Sequence, residues 1–265
     1  MTVRVTIHSG LPPARVWPAL HEVDRLGQWF GELDHAWRPG QPARLDFGDG
    51  DFFTIDTHDV VAPEWIAFDW RFLGLGPTAR IRWQVRPVPG GSDVSVVDTS
   101  PDRSPAEADE LRAGWTDFFE RLSRHLATGA RTRYDTRDDI DGTVALGGAA
   151  ARLFGPDTVH RWLPIATDGF APRWFFVVDG DGPRRFRLDG WQAGPDGVSF
   201  TVDVPGATEA RAWAQPVGSG WHLSFRHTGW GQLGLPDRQA RLLRSRFTAA
   251  WVAALRTARE LTGTS

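Results

Sequence analysis

The fold can be inferred from a pattern that occurs twice in the chain. The first occurrence is Asp98-Thr99-Ser100, followed by a predicted helix that begins at a proline and contains Gly114-Trp115-Thr116-Asp117-Phe118-Phe119. It returns as His227-Thr228-Gly229, followed by a helix that contains Arg246-Phe247-Thr248-Ala249-Ala250-Trp251. Self-similarity of this kind marks a duplicated unit. The sequence therefore predicts two copies of one domain.

The chain length fits this duplication. Halves of roughly 130 residues are near the common size of a single domain, and Trp29 in the first half is echoed by Trp162 in the second. A polar, charged and aperiodic segment separates them, which is typical of a linker. We predict a first domain at 1–129, a linker at 130–139 and a more divergent second domain at 140–265.

Composition excludes several classes of function. The formal net charge of -3, with acids and bases dispersed, lacks the basic surface that phosphate neutralisation requires, so we expect no nucleic-acid partner. No apolar run approaches a membrane span and no leader pattern is present, so we expect a cytoplasmic protein. All thirty basic residues are arginine and no cysteine is present, which excludes disulfides, thiolate nucleophiles and Schiff-base chemistry.

Hydrophobic periodicity predicts the order of elements. A first strand at 3–9 precedes a short helical pair that Pro18 and Gly27 interrupt. Five apolar runs between 43 and 100, separated by Gly, Pro and Asp, indicate an antiparallel meander. Ser104-Pro105-Ala106-Glu107 is a helix start with a capping box, and the helix ends near Gly129. Its apolar stripe, which must cover the sheet, is Leu111, Trp115, Phe118, Leu122 and Leu126.

Several motifs resemble the START-like (SRPBCC) superfamily, within it most closely the branch related to the C-terminal domain of the heat-shock-chaperone ATPase activator. The motifs, in order, are Pro12-Pro13-Ala14-Arg15-Val16-Trp17-Pro18-Ala19-Leu20, Gln28-Trp29-Phe30, Trp37-Arg38-Pro39-Gly40, Phe68-Asp69-Trp70-Arg71-Phe72 and Arg112-Ala113-Gly114-Trp115. The likeness runs through residues 1–128 and is looser over 140–262.

This resemblance implies an α+β protein of two tandem helix-grip domains. Each would be a curved antiparallel sheet wrapped around a long C-terminal helix, with two short helices after the first strand and a cavity between sheet and helix. Members bind lipids or other hydrophobic ligands, cyclise aromatic polyketides, assist chaperones, or sequester antibiotics in producing bacteria, including enediyne producers. The fold does not choose among these roles.

Alignment of the repeats predicts a hollowed second cleft. Ile81, Trp83 and Val85 align with Ala210, Ala212 and Ala214, and on the closing helices Phe118, Leu122 and Leu126 align with Ala250, Ala254 and Ala258. Large-to-Ala changes are costly when space is left empty, so a matched set on facing walls favours a ligand cavity. Two alternatives stay open: a one-residue register shift that turns Trp213 inward, or an alanine-rich codon bias.

The expected binding residues follow from that alignment. In the second domain they are Trp174, Phe176, Phe186, Phe200, Ala210, Ala212, Ala214, Phe225, His227, Phe247, Ala250, Trp251 and Ala254. A secondary cavity in the first domain would be lined by Phe68, Trp70, Trp83, Trp115 and Phe118. Such a lining suits an apolar small molecule.

Few residues of the sequence are candidates for a catalytic role. His227 and Asp98 occupy equivalent inward positions and are the only titratable groups proposed for acid–base catalysis. No His-x-x-x-His pair, phosphate loop or nucleophile elbow is present, so we expect no metal and no cofactor. The favoured function is sequestration or carriage of a hydrophobic, polycyclic natural product, for self-resistance or biosynthesis. The alternatives are a polyketide cyclase or aromatase, and a chaperone ATPase regulator.

Overall fold

The computed structural model describes residues 1–263 except 102, 149, 168–170 and 181. The chain divides into two compact units. The first comprises Met1–Gly48 and Phe52–Asp135, and the second comprises Asp49–Asp51 and the chain from Thr136 onward. The main boundary thus falls inside the segment 130–139, whereas nothing in the sequence pattern singled out the grouping of Asp49–Asp51 with the second unit. None of the described helices is long and apolar enough to cross a membrane.

The first unit contains a seven-stranded antiparallel sheet. Its strands are β1 (Thr2–Ser9), β2 (Glu32–Leu33), β3 (Pro42–Asp46), β4 (Phe52–Val61), β5 (Trp65–Phe72), β6 (Ala79–Val88) and β7 (Gly91–Thr99), in the spatial order β1-β7-β6-β5-β4-β3-β2. The five apolar runs are therefore the meander β3 to β7, as predicted. Alternate residues of β5 and β6 are buried, because successive side chains of a strand point to opposite faces.

Two short helices follow β1, namely α1 (Pro13–His21) and α2 (Val23–Trp29). Pro18 and Gly27 lie inside them, so the expected interruption by these residues is wrong. The chain instead breaks at Glu22, whose extended backbone separates the helices. Trp29 closes the pair, since its Nε1 donates to Ala19 O at 2.8 Å.

The long helix α3 (Pro105–Thr128) begins as predicted. Ser104 Oγ accepts from the Glu107 amide, the Glu107 carboxylate accepts from the Ser104 amide, and Gly129 ends the helix in the left-handed conformation with φ 70°. Its most buried large residues are Trp115, Phe119 and Leu122. Phe118 is half-buried and packs against the same core, as Leu111 and Leu126 do, while Phe119 is a buried residue that the predicted stripe lacked.

The segment after α3 folds back on the first unit. The amide of Thr132 donates to Gln28 O at 2.8 Å, and Arg121 donates to Thr132 O at 2.8 Å. The Tyr134 hydroxyl donates to Asp117, and its ring lies edge-on to Phe118. Residues 132–134 are therefore part of the first unit's packing.

The second unit repeats the same sheet. Its strands are β8 (Ile140–Leu146), β9 (Ile165–Thr167), β10 (Pro172–Asp179), β11 (Gly182–Gly194), β12 (Gly197–Val204), β13 (Gly206–Val217) and β14 (Gly220–Thr228), in the spatial order β8-β14-β13-β12-β11-β10-β9. This order matches that of the first sheet strand for strand. The fold is thus α+β with tandem helix-grip-like domains.

The helices of the second unit are reduced at the start and retained at the end. A 3-10 turn at Ala150–Arg152 and the four-residue α4 (Val159–Trp162) stand where α1 and α2 stand in the first unit. Trp162 keeps the role of Trp29, since its Nε1 donates to Leu153 O at 2.9 Å. The closing helix α5 (Asp237–Gly263) has 27 residues.

A buried arginine anchors α5. Arg244 is fully buried, and its guanidinium donates to the Asp51 carboxylate at 2.9 and 3.1 Å and to Asp49 O at 2.9 Å. Gly50 has φ 106°, and a Cβ there would lie 2.6 Å from Ser245 Cα. Only glycine lets the backbone come this close, so Asp49–Asp51 packs directly against α5.

Candidate functional site

The inner face of the first sheet carries an aromatic cluster. Phe68, Trp70 and Trp83 are buried on β5 and β6, Trp115 is buried on α3, and Phe118 is half-buried beside it. The structure therefore brings together the five residues predicted for the first domain. They contact one another as rings, with Trp70 stacked on Trp115 at 5.2 Å and Phe68 edge-on to Trp83 at 5.3 Å.

Further rings belong to this cluster and were not predicted. They are Phe30 after α2, Trp37, Phe47 after β3 and Phe53 on β4. Phe30 stacks on Trp115 at 5.9 Å and meets Phe118 edge-on at 4.6 Å, while Phe53 stacks on Trp70 at 3.9 Å. The motifs Gln28-Trp29-Phe30 and Trp37-Arg38-Pro39-Gly40, which carried the family resemblance, were the available signals for Phe30 and Trp37.

Asp98 lies at the inner end of β7 and is fully buried. Its Oδ2 accepts from Trp115 Nε1 at 3.0 Å and its Oδ1 accepts from Arg103 at 2.5 Å. Burial raises the pKa of this carboxyl, and the two hydrogen bonds oppose the rise. Both oxygens are engaged, so Asp98 ties the sheet to α3 and the segment before it.

In the second unit the alanines of β13 face the helix side. Ala210, Ala212 and Ala214 are buried, whereas Trp213 between them is half-buried on the other face with Arg211 4.2 Å from its ring. The alternative of a one-residue register shift that turns Trp213 inward is therefore wrong. The strand pairs Ala210 with His227 and Ala212 with Phe225.

The rings around these alanines contact each other. Phe225 stacks on Trp251 at 4.4 Å, Phe186 meets Phe247 at 5.0 Å, and Phe200 stacks on Trp251 at 6.3 Å. Because Phe225 lies opposite Ala212, Trp251 lies beside the alanine-bearing strand. Its ring takes up room that the small side chains leave.

Two predicted lining residues of β10 are misplaced. Trp174 and Phe176 are half-buried on the face away from α5, and the Arg185 guanidinium lies 4.4 Å from the Trp174 ring. Phe175 faces inward instead and stacks on Phe247 at 5.3 Å. The strand reads as a continuous apolar run, so its sequence does not define which alternate residues face the core.

The alanines of α5 divide between two environments. Ala254 and Ala258 are buried, while Ala250 is half-buried at the edge of the inward stripe. That stripe is set by Phe247 and Trp251, which lie one turn apart. The predicted place of Ala250 among the inward residues is therefore corrected.

His227 is the polar centre of the second unit and is fully buried. Its Nδ1 accepts from Trp251 Nε1 at 3.1 Å, and its Nε2 lies 2.8 Å from Thr208 Oγ1, which donates to Val202 O at 3.1 Å. This chain fixes the neutral ring with its proton on Nε2. Burial, and then the charge of Arg244, lowers the pKa of His227 to about 3.

A surface cavity of about 380 Å³ lies on the outward face of the second sheet. It is lined by Gly190, Gln192, Ser199, Phe200, Thr201, Glu209, Ala210, Arg211, Arg226 and Thr228. The register between β11 and β12 shifts between Asp189 and Gln192, and Gly190 has φ 63°. A glycine in this conformation at a bulge bends the strand. Most of its lining residues are polar, whereas the predicted pocket was apolar, and the pattern Gly190-Trp191 inside a strand was a sequence signal for it.

The residues described here hold no cluster of three or more His, Asp or Glu side chains placed to bind a metal ion.

Comparisons with known proteins agree with this architecture. The family model described as Activator of Hsp90 ATPase homolog 1-like protein matches residues 10–127. The crystal structure of DynU16, a protein in the dynemicin biosynthetic locus, is 42% identical, covers 98% of this chain and 98% of that chain, and has a TM-score of 0.94. No curated protein matches.

Other solved structures match about half of the chain. Protein MLL2253 from Mesorhizobium loti is 21% identical, covers 48% of this chain and 97% of that chain, and has a TM-score of 0.44. CalU16 from Micromonospora echinospora is 18% identical, covers 48% of this chain and 77% of that chain, and has a TM-score of 0.42.

Proposed function

The chain belongs to the START-like (SRPBCC) superfamily, with a first domain of the Activator of Hsp90 ATPase homolog 1-like family, and from this membership we propose that it is a binding protein. Its ligand would be a hydrophobic, polycyclic natural product of the polyketide or enediyne type, which the protein sequesters or carries. The observation that carries the proposal is the likeness to DynU16 over nearly the whole of both chains, since that protein is encoded in a dynemicin biosynthetic locus.

The aromatic interior suits such a ligand. Stacked and edge-on ring contacts already hold the interior of each unit together, and a flat polycycle can replace a side-chain ring in a contact of the same kind. Aromatic pairs contribute about 0.5–1.5 kcal/mol beyond the area that they bury. In the first unit, Phe53 and Phe118 are only partly buried while they contact buried rings. The ligand would enter the first unit at this edge of the aromatic cluster.

Binding without turnover is favoured over a cyclase or aromatase. A general acid or base must reach the substrate with a free donor or acceptor. Asp98 uses both carboxylate oxygens and His227 uses both ring nitrogens in hydrogen bonds within the protein. His227 cannot exchange a proton with a substrate unless one of these bonds breaks, and Asp98 is fully buried against Trp115 and Arg103.

Titration of the full chain with dynemicin tests the proposal. The 14 tryptophans report on binding, and we expect saturable quenching of their fluorescence together with a rise in melting temperature. A solution of free N-acetyltryptophanamide corrects for light absorbed by the ligand. Ligand extracted after prolonged incubation should be chemically unchanged. Quenching no greater than in the free-tryptophan control, with no thermal shift, would refute binding, and conversion of the ligand would favour an enzyme.

A further inference from the structure

The buried tryptophans of the first unit differ in whether the indole N–H has a hydrogen-bond acceptor. Three of them donate to an acceptor: Trp29 to Ala19 O at 2.8 Å, Trp37 to Leu20 O at 3.1 Å and Trp115 to Asp98 Oδ2 at 3.0 Å. Trp83 is fully buried, yet none of the described residues supplies an acceptor for its Nε1. Buried indole N–H groups usually have a partner, and an exception calls for a cause.

Thr57 shows the same anomaly on the same inner face. It is buried on β4, and its hydroxyl has no partner among the described residues. The buried Thr208 of the second unit is the contrast, because its hydroxyl both accepts from His227 and donates to Val202 O. A buried hydroxyl left unpaired destabilises the folded state. The first unit thus keeps two polar groups unpaired inside its aromatic cluster.

The sheet register places these two groups on either side of one ring. Thr57 lies opposite Phe68 on the neighbouring strand, and the Phe68 ring lies 5.3 Å from that of Trp83. Strands β4 and β6 are separated by β5, and Trp83 lies opposite Ile66, two residues from Phe68, so the backbones of Thr57 and Trp83 are about 12 Å apart. A flat molecule over Phe68 would reach both.

The chemistry of the pair defines what would satisfy it. An indole N–H can only donate, and a hydroxyl can donate or accept. Phe30 and Phe68 meet Trp83 edge-on, and a ring face is a weaker acceptor than oxygen. Carbonyl or hydroxyl oxygens on two sides of a ring system would pair with both groups.

We propose that the first unit is the site that recognises an oxygenated polycycle, with Trp83 Nε1 donating to one ligand oxygen and Thr57 Oγ1 bonding to another. This inference rests on the proposed function and specifies its site and ligand class. The ligand is then recognised by the first unit, whereas the alanine pattern of the sequence indicated the second unit as the main binding site. In the second unit, Ala212 occupies the position aligned with Trp83. Both ring nitrogens of His227 there are hydrogen-bonded to other residues of the unit.

Two ligands and three variants test the inference. Alizarin, a dihydroxyanthraquinone, and anthracene share three fused rings and differ in oxygen, and each is titrated against the full chain by fluorescence. We expect alizarin to bind at least about tenfold more tightly, the worth of one or two hydrogen bonds. Thr57→Val and Trp83→Phe should each reduce this preference severalfold. Thr57→Val should also raise the melting temperature without ligand, because it removes an unpaired buried hydroxyl.

Trp230→Phe is the matched control, since Trp230 Nε1 is a buried, unpaired indole of the second unit. It should leave the preference for alizarin unchanged. Equal binding of the two ligands by the unaltered protein, or an unaltered preference in both first-unit variants, would overturn the inference. So would a loss of preference in Trp230→Phe alone. The dynemicin titration decides the proposed function separately, so the two can fail independently.

Discussion

Acidification should destabilise the second unit through a single side chain, His227. The ring is fully buried and neutral, and its Nδ1 accepts the Trp251 indole hydrogen at 3.1 Å. A second proton would occupy that nitrogen, break the Trp251 bond and place a positive charge near Arg244. Burial and Arg244 accordingly lower the pKa of His227 to about 3.

The sign and size follow from linkage. The unfolded chain binds the proton near the ordinary pKa of 6.5 and the folded chain only near 3. Stability from this group is therefore complete above pH 6.5 and is lost as the pH falls toward 3. The whole range corresponds to about 5 kcal/mol, and the part between pH 6.5 and pH 5 to about 2 kcal/mol.

Hydrogen exchange read by mass spectrometry resolves this loss from the behaviour of the first unit. Peptides of β14 and α5 should lose protection between neutral pH and pH 5, after correction for the intrinsic pH dependence of exchange. His227→Gln keeps an acceptor and a donor but cannot titrate, so its protection should depend less on pH. His160→Gln, an exposed histidine of the same unit, controls for histidine loss as such. Equal pH dependence in the wild type and His227→Gln would refute the reasoning.

Three further changes test the packing. Arg244→Met removes two of the hydrogen bonds to the buried Asp51 carboxylate and leaves it with Arg137 at 3.0 Å, so it should destabilise the second unit by about 3 kcal/mol in urea unfolding; a loss below about 1 kcal/mol would contradict the buried ion pair. Ser104→Ala removes the cap of α3 and should cost about 1 kcal/mol by thermal unfolding, with no change if the cap is dispensable. Ala212→Leu should cost about 1–3 kcal/mol because the rings beside it leave little room, whereas higher stability would reveal an empty cleft.

The elements of the fold were predictable because each rests on a local signal. Turn residues separate the five strands of the first meander, and the capping box of Ser104 fixes the start of α3. Because the second half of the sequence repeats the first, the order of helices and strands predicted for the first unit could be extended to the second. Pro18 misled because proline in the interior of a helix usually interrupts it, whereas α1 continues past Pro18 to His21.

The site was predictable only where strands alternate cleanly. Burial alternates through β6 and β13, which is why Trp83 and Ala212 were placed on the inner face correctly. In β10 nearly every residue is apolar, so the sequence could not tell Phe175 from Trp174 and Phe176. The cavity at Gly190 and the anchoring of Arg244 by Asp51 depend on a bulge and on a distant segment, which periodicity does not encode.

The alanines of the second unit replace larger side chains of the first. This change is better explained by side-chain volume that has moved to another residue than by volume that has been left empty. Aligned on Thr116 and Thr248, the helices place Trp115 with Phe247 and Phe119 with Trp251, so the larger ring has moved one turn along. There it reaches His227, which is equivalent to the Asp98 that Trp115 binds in the first unit. The ring that moved lies beside Ala212, where the first sheet has Trp83. Each unit therefore keeps an indole-to-strand hydrogen bond with a different arrangement of rings, and the indole that the first sheet has at Trp83 is replaced by the methyl group of Ala212 in the second.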